Sequence, residues 1–466
     1  MTAILGRATI DEMRSRALLA AAALGLGTVA TPQVATGAEQ PPIEQRYTIA
    51  ATLDVNAARL DATEILELTN RGRRKIGQVD LSVIPRALGY LTLREPVTVN
   101  GDEATIEWTT STNLRVTMPE PLGRHETASI EVGFGLAIGS SPDAFSARLS
   151  LNNGVLSFGE WFPIVSREHD IYGIGDPQVS YNAESIRLEL TTTTQLARDA
   201  VACSGMLEAP ATSGTRWVCE TTDVRDFSFV VNPRFRLTTR QVGETALRVY
   251  TETVSGAVTA DLATQALIGL EEVYGPYPWP DLMIAEVGAG GGFSMEYPRG
   301  IHLTRGKVID TYVIFHEVAH QWFYAQIGND QMLEPWLDEG FADFSARYLM
   351  GISENQCSTR PVDSSVFAWE AGATTGGDWT SCDGYFHTVF YKGTEFLTGL
   401  RSLMSDDAFF GALHSFVDAN RYGVVTARDL LGHLSRETDA NLRPTYRAYL
   451  AGPFGRPAGR SVPESP

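Results

Sequence analysis

The sequence predicts an α+β fold in which an N-terminal antiparallel β-domain is followed by a mainly helical domain. Residues 45–235 contain short runs that alternate apolar and polar side chains, such as residues 104–109. This alternation is typical of strands with one solvated face. From about residue 255 the apolar positions follow the helical period, first over residues 260–274. Because 466 residues suffice for two or three domains, we predict a β-rich domain over 45–235 and a mainly helical domain over 236–451.

The first 38 residues have the three parts of a secretory signal. Arg14 and Arg16 precede an apolar run that ends at Ala30, and small residues continue to Ala38. We expect cleavage after Ala30 or Ala38. The apolar run has about fourteen residues, which is short for a membrane span. We therefore predict a secreted or extracytoplasmic protein without a stable membrane span after cleavage of the signal.

The net charge limits the possible partners, and the cysteine content agrees with an extracytoplasmic compartment. The formal net charge of -19 argues against a nucleic-acid partner. Cys203 lies near Cys219, and Cys357 lies near Cys382, so local pairs are the simplest of three possible disulfide connectivities. Residues 452–466 are rich in Pro and Gly, and we expect a disordered tail.

One short stretch, Phe-His-Glu-Val-Ala-His-Gln-Trp, carries a candidate metal site. On a helix, His316 and His320 lie about 40° apart around the axis and about 6 Å apart along it, so both imidazoles can reach one ion. Eighteen residues separate His320 from Glu339, enough for a returning helix to bring a carboxylate to the same ion. These ligands leave the fourth position of a tetrahedral Zn²⁺ open for water, as in catalytic sites. Glu317 is then placed to take a proton from that water.

Chance and a purely structural role for the histidines are the alternatives. A His-Glu-x-x-His run arises by chance in about one chain in a hundred of this length. The apolar residues 313–315 would bury this helix, which we expect to begin near Asp310 or Thr311 and to end by Gly328. A buried pair of histidines needs a partner, and a metal is the commonest one. The pattern therefore favours a metal site.

Two further carboxylates are candidates near that site. Glu296 precedes His316 by twenty residues, and a partly desolvated carboxylate binds the ammonium group of a peptide's amino terminus well. The alternative is an ordinary solvated glutamate at a strand end. Asp343 lies one turn after Glu339 and would accept the spare N–H of a zinc-bound histidine. The alternative for Asp343 is a surface aspartate.

The order of several motifs points to one family. The motifs are Trp-Phe-Pro at 161–163, Tyr-Gly-Pro-Tyr-Pro at 274–278, Met-Glu-Tyr-Pro at 295–298, His-Glu-Val-Ala-His-Gln-Trp-Phe at 316–323 and Trp-Leu-Asp-Glu-Gly-Phe-Ala at 336–342. Together they resemble the gluzincin family of zinc aminopeptidases that includes membrane alanyl aminopeptidase and leukotriene hydrolase. The resemblance covers roughly residues 45–450, and the spacing of the two zinc-ligand motifs is its most specific part.

The resemblance implies a saddle-shaped β-domain, a thermolysin-like catalytic domain, one zinc ion and a peptide substrate. By matching position, it implies His316, His320 and Glu339 as zinc ligands, Glu317 as the base and Glu296 as the binder of the amino terminus. It also implies that water attacks the first peptide bond.

One departure from the family pattern bears on activity. The family's catalytic tyrosine stands two residues before Lys in Tyr-x-Lys-Gly, but this chain has Phe390 at that position and Tyr391 after it. Loss of one oxyanion donor typically lowers the rate by about 10² to 10³. Tyr391 replaces it only if the local register shifts, because the next residue on a helix points about 100° away.

Three functions are compatible with these observations. The first is an exported zinc aminopeptidase. The second is a peptidase-like protein that binds zinc and peptide but turns over poorly, which Phe390 favours and the retained Glu317 disfavours. The third is an endopeptidase, which requires that Glu296 does not bind an amine.

Overall fold

The structure, a computed structural model, describes residues 43–140, 147–166, 180–288, 294–353, 355–366, 368–369 and 380–451. The predicted signal segment 1–38 and the tail 452–466 lie outside the described residues. All described residues fall within one compact unit. The division into domains at residues 235 and 236 therefore stays a prediction.

Strands dominate the first part of the chain, as predicted from its alternating runs. They are β1 (Ile43–Asp54), β2 (Arg59–Asn70), β3 (Ile76–Ser82), β4 (Leu91–Val99), β5 (Asp102–Glu103), β6 (Thr105–Trp108), β7 (Asn113–Leu122), β8 (Thr127–Ala137), β9 (Leu149–Asn152), β10 (Val155–Phe158), β11 (Ile164–Val165), β12 (Ala183–Ala197), β13 (Val201–Cys203), β14 (Met206–Glu208), β15 (Ser213–Val224) and β16 (Phe229–Val231). Seven more follow: β17 (Arg236–Val242), β18 (Thr245–Thr251), β19 (Asp281–Val287), β20 (Met295–Tyr297), β21 (Gly300–Thr304), β22 (Gly328–Asn329) and β23 (Val424–Val425).

The first sixteen strands form three sheets. The largest has eight strands in the order β14-β15-β12-β1-β2-β8-β4-β5, and two four-stranded sheets have the orders β13-β16-β10-β9 and β11-β3-β7-β6. Strict alternation in β2 puts Leu60, Ala62, Leu66 and Leu68 in the core. One pairing differs from the antiparallel prediction, because β1 and β12 are parallel. Their separation in sequence leaves ample chain for the crossover that a parallel pair requires.

A mixed five-stranded sheet, in the order β17-β18-β19-β21-β20, follows in the chain. Strands β18, β19 and β21 are parallel neighbours, and β20 pairs antiparallel with β21 at one edge. Every residue of β19 is buried, as expected for a strand covered on both faces. Glu296 therefore lies on an edge strand, beside the helices described next.

The sheet-rich first part also contains the short helix α1 (Ile84–Ala87) and a 3₁₀ turn over Arg198–Ala200. Helices dominate the rest of the described chain. They are α2 (Gly256–Tyr274), α3 (Thr311–Ala319), α4 (Glu339–Met350), α5 (Lys392–Met404), α6 (Asp406–Asn420), α7 (Ala427–Leu434) and α8 (Arg443–Tyr449), with a π-helix over Phe386–Tyr391 and a 3₁₀ turn over Pro335–Leu337. Helix α4 ends at Gly351, whose φ of 65° is the left-handed conformation that glycine adopts readily. Within the described residues, no helix is long and apolar enough to span a membrane.

The cysteines form two local disulfides, Cys203–Cys219 and Cys357–Cys382, which confirms the simplest predicted pairing. The first joins β13 to β15 in the sheet-rich part. The second joins the two ends of the segment between α4 and the π-helix. The sheet-rich part and the helical part therefore each contain one disulfide.

Candidate active site

Helix α3 begins where the sequence indicates but ends earlier. The Asp310 side chain accepts a hydrogen bond from the Val313 backbone N–H and caps the helix. The helix ends at Ala319, and His320 is its C-terminal cap, so the expectation that it continues toward Gly328 is wrong. Turns follow His320 and lead into β22. The second histidine therefore lies at the end of the helix.

Three side chains converge at this helix end. The Nε2 atom of His316 lies 2.9 Å from Oε2 of Glu339 and 3.1 Å from Nε2 of His320. The remaining side of the triangle, from Nε2 of His320 to Oε2 of Glu339, is 3.4 Å. Ligands about 2.0–2.1 Å from a tetrahedral zinc lie about 3.4 Å from one another. The two nitrogens and one oxygen are therefore spaced as zinc ligands require.

The charges of the buried groups also suit a cation. Glu339 is the first residue of α4, where unpaired backbone N–H groups favour an anion. Burial disfavours its charged form, but hydrogen bonds with His316 and His320 outweigh burial and hold the pKa of the Glu339 carboxyl well below its ordinary value. For His320, burial acts to lower the pKa, but Glu296 and Asp338 raise it well above its ordinary value. This excess of buried carboxylates is the environment in which a divalent cation binds.

Glu317 and Glu296 lie on the other side of His320. Ligand atoms of these three residues lie within 4.8 Å of one another. Both carboxylates are almost fully buried, and Oε2 of Glu317 and Oε1 of Glu296 have no hydrogen-bond partner among the described residues. Burial raises the pKa of Glu317 to about 7, although His316 and His320 oppose the shift. Two carboxylates that each have one oxygen without a hydrogen bond in the described chain are therefore buried next to the candidate metal site.

Gln321, which the sequence reading did not single out, fixes the edge strand relative to α3. Its side-chain amide donates to the Tyr297 carbonyl at 3.0 Å and accepts from the Arg299 backbone N–H at 2.9 Å. These bonds hold both sides of the turn after Glu296. Gln321 follows His320 directly, so one pair of adjacent residues connects the candidate ligand to the strand that carries Glu296.

A carboxylate does contact a histidine, but it is Asp338 rather than Asp343. Nδ1 of His320 lies 2.5 Å from Oδ1 of Asp338. Asp343 instead accepts hydrogen bonds from the Tyr312 hydroxyl, the Arg347 guanidinium and the Thr394 hydroxyl. These partners draw its carboxylate into the packing of α3, α4 and α5. The sequence signal for Asp338 was its position directly before Glu339.

Phe390 packs directly on the first histidine. Its ring lies parallel to that of His316, with an interplanar angle of 5° and centroids 5.5 Å apart. Close packing of α4 on the π-helix allows this approach, because a Cβ on Gly340 would lie 3.1 Å from the Val389 carbonyl oxygen. The Tyr391 ring lies 5.0 Å from the Arg347 guanidinium and packs edge-on against His387.

The comparisons with known proteins agree with this geometry. Residues 302–449 match the Peptidase family M1 domain. The M1 relatives include aminopeptidase N of Lactobacillus delbrueckii subsp. lactis, which is 26% identical over 230 residues, and aminopeptidase B of Mus musculus, which is 27% identical over 208 residues. These matches cover 41% and 39% of this chain, and 26% and 30% of the relatives.

Solved M1 structures resemble most of the chain. The M1 zinc metallopeptidase from Deinococcus radiodurans aligns with a TM-score of 0.63 over 91% of this chain and 98% of its own, at 18% sequence identity. This likeness supports the fold, with its sheet-rich first part and helical second part. The match of residues 302–449 to the Peptidase family M1 domain supports the resemblance inferred from the motifs.

Proposed function

We propose that this protein is an exported zinc metallopeptidase that acts as an aminopeptidase. The observation that carries the proposal is the triangle formed by His316, His320 and Glu339, with Glu317 and Glu296 beside it. We further propose that the sheet-rich part has the saddle form and the helical part the thermolysin-like form implied by the resemblance. The two-domain M1 neighbours support that division.

We propose that His316, His320 and Glu339 hold one zinc ion. When bound, zinc would polarise the scissile carbonyl and make the attacking water more acidic. Glu317 removes a proton from that water and delivers it to the leaving amine. Its burial suits this exchange, because a base whose pKa is near 7 can both take and return a proton at neutral pH.

Glu296 would select the free amino terminus. A buried carboxylate with an unpaired oxygen is costly unless a cation or a donor satisfies it. The ammonium group of a peptide's first residue supplies both charge and donors. An M1 zinc metallopeptidase mutant from Deinococcus radiodurans has a Tyr-Ser-Ala substrate bound, and a two-domain M1 zinc metallopeptidase mutant has L-arginine bound. For this chain we propose peptides with a free amino terminus as the substrate class.

Export is proposed on the cysteines and the signal segment. Disulfides persist mainly in oxidising compartments, and all four cysteines form them here. The signal-like residues 1–38 supply the route. Together they support a secreted or extracytoplasmic site of action.

A second candidate is a zinc- and peptide-binding protein with weak turnover. Phe390 supports it, because the ring that stacks on His316 has no hydroxyl to stabilise the developing oxyanion. Glu317 argues against it, since a binding protein needs no base at this position.

Hydrolysis of paired peptides tests the proposal. We would assay zinc-loaded protein on peptides of one sequence with free and with acetylated amino termini, beside Glu296→Gln. The aminopeptidase proposal requires that only the free peptide is cleaved and that Glu296→Gln raises KM for it. Equal cleavage of both peptides would indicate an endopeptidase. Zinc binding with turnover of neither peptide would favour the binding protein.

A further inference from the structure

The two candidate histidine ligands have different surroundings at their second ring nitrogen. Nδ1 of His320 contacts the Asp338 carboxylate at 2.5 Å. Nδ1 of His316 is buried and has no hydrogen-bond partner among the described residues. A ring nitrogen that donates to a carboxylate fixes the tautomer of the imidazole and leaves the other nitrogen free as a metal ligand. Of these two histidines in the described chain, His320 has such a partner and His316 does not.

Asp338 is itself held in place. Its side chain is 1% exposed, and its second oxygen accepts a hydrogen bond from the Gln331 side-chain amide. The loop that carries Gln331 is fixed by Asp330, which accepts from the Met332 and Leu333 backbone N–H groups. Both oxygens of Asp338 are therefore used, and neither can turn away from its partner without losing a buried hydrogen bond.

The position of Asp338 in the chain adds to this effect. It directly precedes Glu339, which supplies the third candidate ligand. Movement of the turn before α4 would therefore disturb both Glu339 and the support of His320. The segment from Gln331 to Glu339 contacts the site twice, through Asp338 at His320 and through Glu339 at His316. Gln331 holds Asp338 within this segment.

We propose that Asp338, supported by Gln331, is a positioning residue that holds His320 with its proton on Nδ1 and thereby sets how tightly the chain retains zinc. This inference rests on the proposed zinc site. Of the two aspartates near Glu339, Asp338 controls the zinc affinity and Asp343 does not.

Chelator competition on Asp338→Asn and Asp343→Asn tests the proposal, with the zinc dissociation constant as the readout. Loss of a supporting partner of a metal ligand typically weakens metal binding about 10–100-fold. We expect that loss for Asp338→Asn, and less than about a threefold change for Asp343→Asn, whose partners are Tyr312, Arg347 and Thr394. Thermal unfolding without metal checks that both variants fold.

A double variant separates positioning from general damage. Asp338→Asn removes the carboxylate charge, and the introduced amide nitrogen faces the Gln331 side-chain amide, whose oxygen has no hydrogen-bond partner among the described residues of the wild type. In Asp338→Asn combined with Gln331→Glu, the carboxylate introduced at position 331 accepts from that nitrogen, and the amide oxygen introduced at position 338 remains free for His320. We expect this pair to recover most of the zinc affinity. If Asp338→Asn does not fold, Gln331→Leu replaces it, with an expected loss of about 10-fold.

The outcomes distinguish this inference from the proposed function. Unchanged zinc affinity in Asp338→Asn, or an equal loss in Asp343→Asn, would overturn the inference while leaving the zinc site intact. Failure of the wild-type chain to bind zinc would overturn the proposed function itself.

Discussion

The two histidines of the site lie one helical turn apart, with ring centroids separated by 4.7 Å, yet the two sides of the site are built differently. The side around His320 is polar, with Asp338 and Gln331 in a continuous hydrogen-bonded chain. The side around His316 is aromatic, with Phe390 stacked on the imidazole ring. Although His316 and His320 lie one turn apart, their side chains therefore have different surroundings. The partners described here, Asp338 and Phe390, come from segments outside the histidine motif at 316–323.

Removing the proposed base, Glu317, should have the largest effect on turnover. It should leave the surroundings of His316 and His320 unchanged. Glu317→Gln keeps the shape of the side chain but cannot take a proton. We expect kcat to fall by about 10² to 10⁴, with zinc content as in the wild type. Steady-state kinetics with metal analysis measures both. Loss of zinc together with activity would show that Glu317 supports the metal rather than the proton transfer.

Changing the aromatic side should alter turnover without altering zinc binding. Phe390→Tyr adds a hydroxyl where the family has its oxyanion donor, and one such donor typically contributes about 10² to 10³ in rate. We expect kcat to rise toward that limit and the zinc dissociation constant to stay within about threefold. Tyr391→Phe is the matched control, because Tyr391 lies against Arg347 and should not affect kcat. An unchanged rate in Phe390→Tyr would indicate that another group already stabilises the oxyanion.

A buried carboxyl in the large sheet offers a contrast to Asp338. Glu64 on β2 is fully buried, and neither of its oxygens has a partner among the described residues. Burial raises its pKa well above the ordinary 4.5. The folded state therefore binds a proton more tightly than the unfolded state, so the wild type loses stability as pH rises above about 4.5.

The neutral variant Glu64→Gln should remove that loss. We expect it to stabilise the fold by about 1–3 kcal/mol at pH 8, with a smaller difference at pH 4. Chemical denaturation at several pH values measures this. Glu67→Gln, an exposed position on the same strand, is the control and should show no such trend. A Glu64→Gln difference that does not grow with pH would contradict this account.

The smallest expected effect concerns the packing of His316. Phe390→Ala removes the stacked ring, and aromatic pairs contribute about 0.5–1.5 kcal/mol beyond their buried area. We expect the zinc dissociation constant to rise about two- to tenfold, less than for Asp338→Asn. A larger loss than for Asp338→Asn would reverse the proposed difference between the two sides. The same chelator competition provides the comparison.

The sequence predicted the periodic and local features of the fold well. Alternation identified the strands, and the Asp310 cap identified the start of α3, because these signals depend on neighbouring residues. The spacing of the histidines and Glu339 predicted their convergence for the same reason. The parallel pairing of β1 with β12 had no local signal, since it depends on tertiary packing.

The supports of the site were harder to predict. Helical spacing favoured Asp343 as the partner of a histidine, but Arg347, Tyr312 and Thr394 compete for its carboxylate. The Asp338 carboxylate, which directly precedes α4, contacts Nδ1 of His320 instead. Partners that are brought together by a turn and a separate loop leave no periodic trace in the sequence.

The most direct test of the central claim is a zinc titration of the metal-stripped chain, with initial rates measured on an aminoacyl fluorogenic substrate. A single site formed by His316, His320 and Glu339 predicts a rate that rises linearly to one equivalent of zinc and then stays constant. In Glu317→Gln the same equivalent should bind without turnover. A rate that does not depend on zinc, or zinc binding that persists unchanged in Glu339→Ala, would contradict the account.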